Sequence, residues 1–234
     1  MVIETSADKI KKTLSENDEK LRRYVELLIK ANEAARLTGP SDREILWNDH
    51  IKDCAAAVFL LPRAGRVIDV GTGGGLPGIV WAICRKDLSV TLLDSVAKKI
   101  AQVEKITRLL GLNNVKTVCA RSEDYAKENK EKFSVVTARA VTAAGVLAEL
   151  LTPFAKIGGR IIAFKGQKVT EELEAVGNRW GELGLSSPKL TRYSFDDKKR
   201  FFLIWEKIAR APKGIPRRPG MAEKFPWYEV RGAK

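Results

Sequence analysis

The chain has 234 residues, and its 42 Lys and Arg against 29 Asp and Glu leave a formal net charge of +13. This length predicts one sizeable core, and the 44% hydrophobic and 30% charged residues are ordinary for a globular protein, which excludes general disorder. No stretch approaches the ~20 apolar residues of a membrane-spanning helix, and the charged N-terminus lacks a signal-peptide core. We therefore expect a cytoplasmic protein with no membrane partner.

The basic excess is concentrated in the last three-fifths of the chain. Residues 1–60 carry a net charge of −1, residues 61–145 carry +6 and residues 146–234 carry +8. A field of this sign attracts polyanions, so nucleic acid is the first partner to consider, although a surface that only maintains solubility would have the same composition. The three cysteines, Cys54, Cys84 and Cys119, are far apart among apolar residues. We expect three buried reduced thiols, with no disulfide and no metal site.

Apolar spacing predicts an N-terminal helical extension over residues 1–62. One or two amphipathic helices are expected over 8–35. A further helix is expected over 41–60, with Ser41 as its cap and Glu44 three residues later.

From residue 66 onwards, short apolar strands alternate with helices. The predicted helices cover 77–85, 96–110, 123–130, 142–154 and 169–183, and the strands are RVIDVG, SVTLLD, VKTVCA, FSVVTAR and GGRIIAFKG. This alternation is typical of a mostly parallel sheet covered on both faces. Residues 188–195 and 200–208 are expected to form an antiparallel hairpin. We expect an α/β domain over 63–208, followed by an extended tail over 209–234.

The segment RVIDVGTGGGLPGIVWAI, residues 66–83, follows the first strand with a glycine-rich loop. Ligands of open parallel sheets bind beyond the carboxyl ends of the strands, and Gly71, Gly73 and Gly75 allow the main chain to approach a flat ligand closely. Gly73 to Gly78 matches the Gly-x-Gly-x-x-Gly pattern of dinucleotide sites. Residues 69–75 instead match the Asp-x-Gly-x-Gly-x-Gly spacing of enzymes that use S-adenosylmethionine, and Pro77 removes an amide that a pyrophosphate would use.

Four further residues are candidates at the same edge of the sheet. Asp94 ends the second strand and can accept hydrogen bonds from ribose hydroxyls, a role common to both cofactor classes. Ser122 and Glu123 follow the third strand, where they can reach an adenine edge or form an ordinary helix start. Arg139 ends the fourth strand, where it either pairs with a structural carboxylate or faces an anionic substrate; we expect the second.

Together these residues resemble the bacterial small-subunit (16S) ribosomal RNA guanine-N7 methyltransferases, formerly called glucose-inhibited division protein B. The resemblance covers about residues 25–226 and rests on HIKD at 50–53, VIDVGTGGGLPGI at 67–79, LLDSVAKK at 92–99, ARSED at 120–124, TARAV at 137–141, FKGQ at 164–167 and a tail like PRRPGMAEKFP. It implies a class I S-adenosylmethionine-dependent methyltransferase, a Rossmann-like fold with a mostly parallel seven-stranded sheet and a C-terminal antiparallel hairpin.

The resemblance also implies S-adenosylmethionine contacts at Gly71, Gly73, Leu76, Ser122 and Glu123. It further implies that Arg139 lies at the edge between cofactor and substrate. His50 matches a recurrent histidine of the family, which we interpret as a packed residue rather than a catalyst.

Attack by guanine nitrogen-7 needs no general base, because that nitrogen carries no proton, so we assign no acid–base catalyst. Lys165 is a second candidate for substrate contact, with a strand-end lysine facing solvent as the alternative.

The last 28 residues hold eight Lys or Arg against Glu223 and Glu229, interleaved with aromatic residues. Basic and aromatic side chains bind phosphates and unpaired bases, so Arg217 and Arg218 are expected to contact RNA, although a disordered solubilising tail is the alternative. Deleting 209–234 is expected to weaken RNA binding and leave cofactor affinity nearly unchanged.

We thus expect a monomer that acts on 16S ribosomal RNA or the small ribosomal subunit. An NAD-dependent oxidoreductase is the first alternative, because Gly73–Gly78 and Asp94 would also suit that cofactor. A non-catalytic RNA-binding module with a vestigial cofactor fold is the second.

Overall fold

A computed structural model describes residues 7–39, 41–139, 142–193 and 200–229. Its strands are β1 (Gly65–Val70), β2 (Leu88–Asp94), β3 (Val115–Cys119), β4 (Phe133–Arg139), β5 (Ala155–Lys165), β6 (Lys189–Tyr193) and β7 (Arg200–Glu206). They form one seven-stranded sheet in the order β3-β2-β1-β4-β5-β7-β6. The first five strands pair in parallel, while β7 pairs antiparallel with both β5 and β6. The predicted sheet is therefore confirmed, and the residues between the hairpin strands, 194–199, lie outside the described ranges.

Strand order reverses between β1 and β4. The chain first adds β2 and β3 on one side of β1, and then returns to place β4 on its other side. In parallel sheets, such a reversal opens a crevice beyond the carboxyl ends of the two strands. The glycine loop leaves β1 at this point, and Arg139 ends β4 beside it.

The helices surround this sheet. In chain order they are α1 (Ala7–Glu16), α2 (Asp18–Ala35), α3 (Arg43–Ile45), a π-helical segment (Leu46–Ile51), α4 (Lys52–Ala55), a 3-10 turn (Val58–Leu60), α5 (Gly78–Cys84), α6 (Ala97–Leu109), α7 (Ser122–Glu128), α8 (Ala144–Leu151), α9 (Val169–Val176), a second 3-10 turn (Arg179–Leu183) and α10 (Met221–Lys224). None of these described helices is long and apolar enough to cross a membrane.

Two predicted helices are less regular than the apolar spacing indicated. Residues 41–60 contain α3, the π-helical segment, α4 and a 3-10 turn. The cap is Asp42, whose Oδ1 accepts a hydrogen bond from the Ile45 amide at 2.8 Å, whereas Ser41 Oγ accepts one from Asn32. The helix predicted over 169–183 is divided because Gly177 adopts a φ of +60°, which an α-helix does not accommodate.

The two faces of the sheet are covered by separate apolar clusters. Alternate strand residues point to opposite faces, so Val67 contributes to one cluster and Ile68 to the other. The first cluster contains α5 and α6 together with the buried side chains of α1 and α2. The N-terminal helices therefore share their core with the sheet. The second cluster contains α8, the second 3-10 turn, and Ile215 from the C-terminal segment.

Two expectations about exposure are wrong. The C-terminal segment is not an extended tail as far as residue 229, because Ile215 and Ala222 are buried against the domain. Of the three thiols, Cys54 is buried, Cys84 is half-buried and Cys119 is exposed. Cys119 ends β3, the strand at one edge of the sheet, in which no residue is buried.

Candidate functional site

The glycine loop is held in shape by hydrogen bonds to the neighbouring strand. Gly71, Gly73 and Gly75 have φ angles of +71°, +55° and +98°, which side chains with a Cβ rarely adopt. The amides of Gly71 and Thr72 donate to the Leu93 carbonyl at 2.8 and 3.0 Å. The loop therefore presents its main chain beyond the ends of β1 and β2.

Asp69 connects the two ends of this loop from beneath. Its Oδ2 accepts hydrogen bonds from Thr72 Oγ1 at 2.7 Å and from the Gly78 amide at 2.9 Å. Burial raises the pKa of the Asp69 carboxyl to about 6, and these two hydrogen bonds oppose that rise. Its Oδ1 is buried with no hydrogen-bond partner among the described residues. Asp69 thus offers one unsatisfied acceptor below the loop.

Asp94 is buried at the end of β2 and holds the loop from the side. Its Oδ2 accepts from the Gly73 amide at 3.0 Å, and its Oδ1 accepts from the Val96 amide at 2.9 Å. A carboxylate oxygen has more than one acceptor site, so both oxygens retain capacity for a ligand donor. Asp94 therefore orders the glycine loop as well as facing the cavity beside it.

Glu123 is buried at the start of α7. Its Oε2 accepts from Ser122 Oγ at 2.9 Å, and its Oε1 accepts from the Gly220 amide at 3.2 Å. Ser122 is the first residue of α7, whose N-cap Arg121 makes no side-chain capping hydrogen bond, so the contact of Ser122 with an adenine edge remains a prediction. The contact with Gly220, 97 residues away, joins the C-terminal segment to this site.

A cavity lies beyond the carboxyl ends of β1, β2 and β3. It brings together four residues that the sequence nominated for the cofactor, Gly71, Asp94, Ser122 and Glu123. The remaining lining residues are Val70, Leu93, Ser95, Ala120, Arg121, Leu147, Leu150, Gly220, Ala222 and Glu223. Sequence reasoning missed the last three as cavity residues. Their only signal was the family-like tail motif, which does not indicate where the tail packs.

Three other residues nominated for the cofactor do not line this cavity. Gly73 lies in the glycine loop beside it, where its amide donates to Asp94 Oδ2. Leu76 is buried in the first apolar cluster. Arg139 lines a second depression beyond the ends of β4 and β5, called here the polar pocket, together with Asp49, Asp53, Phe164, Lys165, Gly166, Tyr193 and Arg200. The cavity and the polar pocket flank the β1–β4 crevice.

Arg139 pairs with a carboxylate, the alternative weighed against an anionic substrate, and its contact with a substrate at the polar pocket remains a prediction. Its Nη1 lies 3.0 Å from Asp53 Oδ2, and its Nη2 contacts His50 Nδ1. Asp53 also accepts a hydrogen bond from the Tyr193 hydroxyl and lies 3.6 Å from Arg200 Nε. Burial raises the pKa of Asp53, and the Arg139 charge opposes that rise. The charge of Arg139 is thus compensated within the fold.

Lys165 lies largely buried at the polar pocket rather than facing solvent, and its contact with a substrate remains a prediction. Its Nζ lies 2.5 Å from Glu172 Oε2 and donates to the Thr142 carbonyl at 2.6 Å. The same Glu172 oxygen accepts from the Ala144 amide at 2.8 Å. Lys165 therefore connects the end of β5 to α8 and α9.

Arg217 and Arg218 differ sharply although they are neighbours in the sequence. Arg217 forms a two-point ion pair with Glu149 on α8, with nitrogen–oxygen distances of 2.7 and 2.6 Å. Arg218 is exposed. The charge of Arg217 is compensated by Glu149, whereas that of Arg218 faces solvent, and the RNA contacts of both residues remain predictions. Across the described ranges, no group of three or more His, Cys, Asp or Glu is arranged to hold a metal ion.

Comparison with known proteins gives a consistent result along most of the chain. The model of the family described as GidB, rRNA small subunit methyltransferase G, matches residues 17–195. Ribosomal RNA small subunit methyltransferase G of Clostridium perfringens strain 13 is 40% identical over 214 residues, which cover 89% of this chain and 90% of that protein. The protein of the same name from Pseudothermotoga lettingae is 38% identical over 200 residues, covering 85% and 87%.

Solved structures share the fold at lower identity. Cofactor-bound Rv0187 from MTB matches 79% of this chain and 89% of its own, with a TM-score of 0.56 and 17% identity. M. jannaschii TYW2 in complex with AdoMet matches 69% and 77%, with a TM-score of 0.54 and 18% identity. These structures support the class I methyltransferase fold.

Proposed function

Because this chain belongs to the rRNA small subunit methyltransferase G family, we propose that it methylates nitrogen-7 of a guanine in 16S ribosomal RNA. The chain is an S-adenosylmethionine-dependent methyltransferase, and its relatives support neither an NAD-dependent oxidoreductase nor a non-catalytic RNA-binding module. One observation carries the proposed site. The cavity beyond β1–β3 places Gly71, Asp94, Ser122 and Glu123 around one space, next to the polar pocket.

The residues that line the cavity fit S-adenosylmethionine. The Asp94 and Glu123 carboxylates are acceptors, which suits the hydroxyl groups of a ribose and the amino group of an adenine. Leu93, Leu147 and Leu150 supply apolar surface for a flat ring. The unsatisfied Oδ1 of Asp69 below the loop adds negative potential where a positively charged sulfonium compound would bind. We therefore propose that this cavity binds the cofactor.

The start of α5 is unsuited to binding the pyrophosphate of a dinucleotide. A pyrophosphate binds to free amides at a helix N-terminus. At the start of α5, Pro77 has no N–H, the Gly78 amide donates to Asp69, and the Ile79 amide donates to the Gly75 carbonyl at 2.7 Å. The buried carboxylates of Asp69 and Asp94 would also repel a pyrophosphate. These contacts favour a cationic adenosine compound over NAD.

We propose that the target guanine enters between the cavity and the polar pocket. When bound, S-adenosylmethionine supplies an electrophilic methyl group that the nitrogen-7 lone pair can attack in line. Since this nitrogen carries no proton, the chain has only to position the base and exclude water. The ion pairs that Asp53 makes with Arg139 and Arg200 suit that role, because they hold the pocket wall rigid.

The net charge of +13 supports RNA as the partner, since exposed basic residues such as Arg121 and Arg218 can neutralise phosphates near the cavity. We propose 16S ribosomal RNA, free or within the small subunit, as that partner. We also propose that a monomer acts, in the cytoplasm where ribosomal subunits assemble. Light scattering of the purified chain would test the monomer, and a dimer mass would contradict it.

The decisive assay incubates the chain with methyl-labelled S-adenosylmethionine and small ribosomal subunits, naked 16S RNA or tRNA. Labelled 7-methylguanosine recovered from 16S RNA is expected. Label at another atom, or none, would overturn the proposal.

Calorimetric titration of S-adenosylmethionine tests the cavity itself. A hydrogen bond to a charged group contributes about 1.5–3 kcal/mol, so Asp94→Asn should weaken binding roughly ten- to a hundredfold. Asp87→Asn is the matched control, because Asp87 lies just before the other end of β2 and pairs with Arg85 at 2.6 Å. Equal affinity in both variants would remove Asp94 from the site.

A further inference from the structure

The C-terminal strap, defined as residues 209–229, is anchored near its middle by an ion pair with a buried carboxylate. Arg217 Nε and Nη2 donate to the two oxygens of Glu149, whose side chain is 0% exposed. Arg217 Nη2 also donates to the Phe225 carbonyl at 2.8 Å. A buried carboxylate requires a partner of opposite charge. The ion pair with Glu149 on α8 therefore holds Arg217, and the strap around it, against the domain.

The C-terminal end of the strap is anchored on α8 as well. Trp227 Nε1 donates to the Gly145 carbonyl at 2.8 Å, and Arg179 Nη1 donates to the Tyr228 carbonyl at 2.8 Å. A Cβ added to Gly145 would lie 2.1 Å from Tyr228 Cε1, so only glycine permits this approach. Trp227 and Tyr228 of the strap thus pack on the domain.

Between these two anchors, the strap reaches the cofactor cavity. Gly220, with a φ of +79°, donates its amide to Glu123 Oε1 at 3.2 Å. Gly220, Ala222 and Glu223 line the cavity opposite β2 and β3. Ala222 is buried there, at the start of α10. One wall of the cavity is therefore made by residues that follow the last strand of the sheet.

We propose that the strap binds the adenosine end of the cofactor and closes that side of its cavity. The proposal rests on the proposed cofactor site. The strap joins Glu123 to the apolar residues Leu147 and Leu150, and so forms a slot between an acceptor and apolar surface. A flat ring with an exocyclic amino donor fits that chemistry. The strap therefore contributes to S-adenosylmethionine affinity, contrary to the expectation that removing it leaves that affinity nearly unchanged.

Neighbouring arginines allow a matched test. Arg217→Gln and Arg218→Gln remove the same charge from adjacent positions, but only the first breaks the Glu149 pair. We expect Arg217→Gln to raise the calorimetric Kd for S-adenosylmethionine at least fivefold, and Arg218→Gln to leave it within twofold. Equal Kd values for Arg217→Gln and the unmodified chain would overturn the strap proposal. If the unmodified chain itself binds no S-adenosylmethionine, the proposed cofactor site fails instead.

A second measurement needs no variant that could misfold. Binding is reciprocal, so a cofactor that contacts the strap must also stabilise the docked strap. Trypsin cleavage after Lys213 or Lys224 in the unmodified chain, followed by mass spectrometry, should slow at least fivefold with saturating S-adenosylhomocysteine. An unchanged cleavage rate, with binding verified by calorimetry, would overturn the proposal.

Should Arg217→Gln not fold, the double variant E149Q/R217Q replaces it in the calorimetric test. This variant leaves no buried charge and should show the same rise in Kd for S-adenosylmethionine.

Discussion

Asp53 on α4 and Arg139 at the end of β4 form an ion pair across 86 residues of sequence. The side chains are only 10% and 14% exposed, and the atoms are 3.0 Å apart. This pair joins the N-terminal helical extension to the carboxyl edge of the sheet. It therefore makes the geometry of the polar pocket depend on the helices that precede the sheet.

Removing the acid of this pair should lower stability substantially. Breaking a buried ion pair costs about 3–5 kcal/mol, because the remaining charge is left without compensation. Asp53→Asn is therefore expected to lower the free energy of unfolding by about 3 kcal/mol in urea titrations. Asp49→Asn is the control, because Asp49 is more exposed and its pair with Arg200 at 3.0 Å should contribute less than about 1 kcal/mol. Similar losses in the two variants would contradict a special role for Asp53.

Asp69 should give the fold an unusual pH dependence. Its folded pKa of about 6 lies above the ordinary aspartate value of about 3.9. Between these values the folded chain binds more protons than the unfolded chain, so this group destabilises the fold as pH rises through that interval. A tenfold change in proton affinity corresponds to about 1.4 kcal/mol, so the effect is on the order of 2–3 kcal/mol.

Asp69→Asn should remove this dependence. From pH 4 to pH 7 the unmodified chain loses the stability contributed by protonated Asp69, and the variant does not. The unfolding free energy of the variant should therefore increase relative to that of the unmodified chain over this range. Asp87→Asn provides the opposite case, because the Arg85 side chain lowers the pKa of Asp87. A difference that is constant with pH for Asp69→Asn would refute the raised pKa.

Lys207 should act in the alkaline range. Its Nζ donates to Thr152 Oγ1 at 2.6 Å and to the Leu183 carbonyl at 3.2 Å, and burial lowers its pKa to about 8. The unfolded chain then binds more protons between about pH 8 and the ordinary lysine value of about 10.4, so stability contributed through this group increases with pH across that window. The unfolding free energy of Lys207→Met, relative to that of the unmodified chain, should therefore be highest at pH 7. This difference should disappear by pH 10.5.

The control for this experiment is Lys189→Met. Lys189 lies on β6 with an exposed side chain, 3.7 Å from Glu206. Its variant should show no comparable change between pH 7 and pH 10.5 in the same urea titrations. Parallel curves for the two variants would show that the buried position of Lys207 has no special effect.

Alanine variants of two glycines with similar φ angles distinguish an effect on stability from an effect on S-adenosylmethionine binding. Gly73 has a φ of +55° and Gly111 a φ of +62°, so alanine at either position should cost about 1–2 kcal/mol of stability. Of these two glycines, only Gly73 donates its amide to Asp94. Gly73→Ala is therefore expected to weaken S-adenosylmethionine binding at least tenfold, whereas Gly111→Ala should bind normally. Calorimetry at a temperature where both variants are folded would measure this, and normal binding by Gly73→Ala would exclude the loop from the site.

Local patterns were sufficient to predict the sheet and the glycine loop. Both features depend on residues that are neighbours in the chain. Continuous apolar runs form the strands, and a glycine-rich run allows the positive φ angles of Gly71, Gly73 and Gly75, so both can be predicted from the sequence. Asp94, Ser122 and Glu123 were nominated because the carboxyl ends of parallel strands meet at one edge. The Asp42 cap and the break at Gly177 were missed, because several residues near each position could serve equally well in an isolated helix.

By itself, the sequence determined the order of strands and helices, the glycine loop, the family and the excess of positive charge. Only the tertiary structure decided which charges are available to a partner. Arg217 and Arg218 are equivalent in composition and position, yet one meets the buried Glu149 and the other meets solvent. The same holds for Arg139 and Lys165, whose acidic partners Asp53 and Glu172 come from other elements. A charge is compensated by whatever packs against it, and that is decided by contacts between distant segments of the chain.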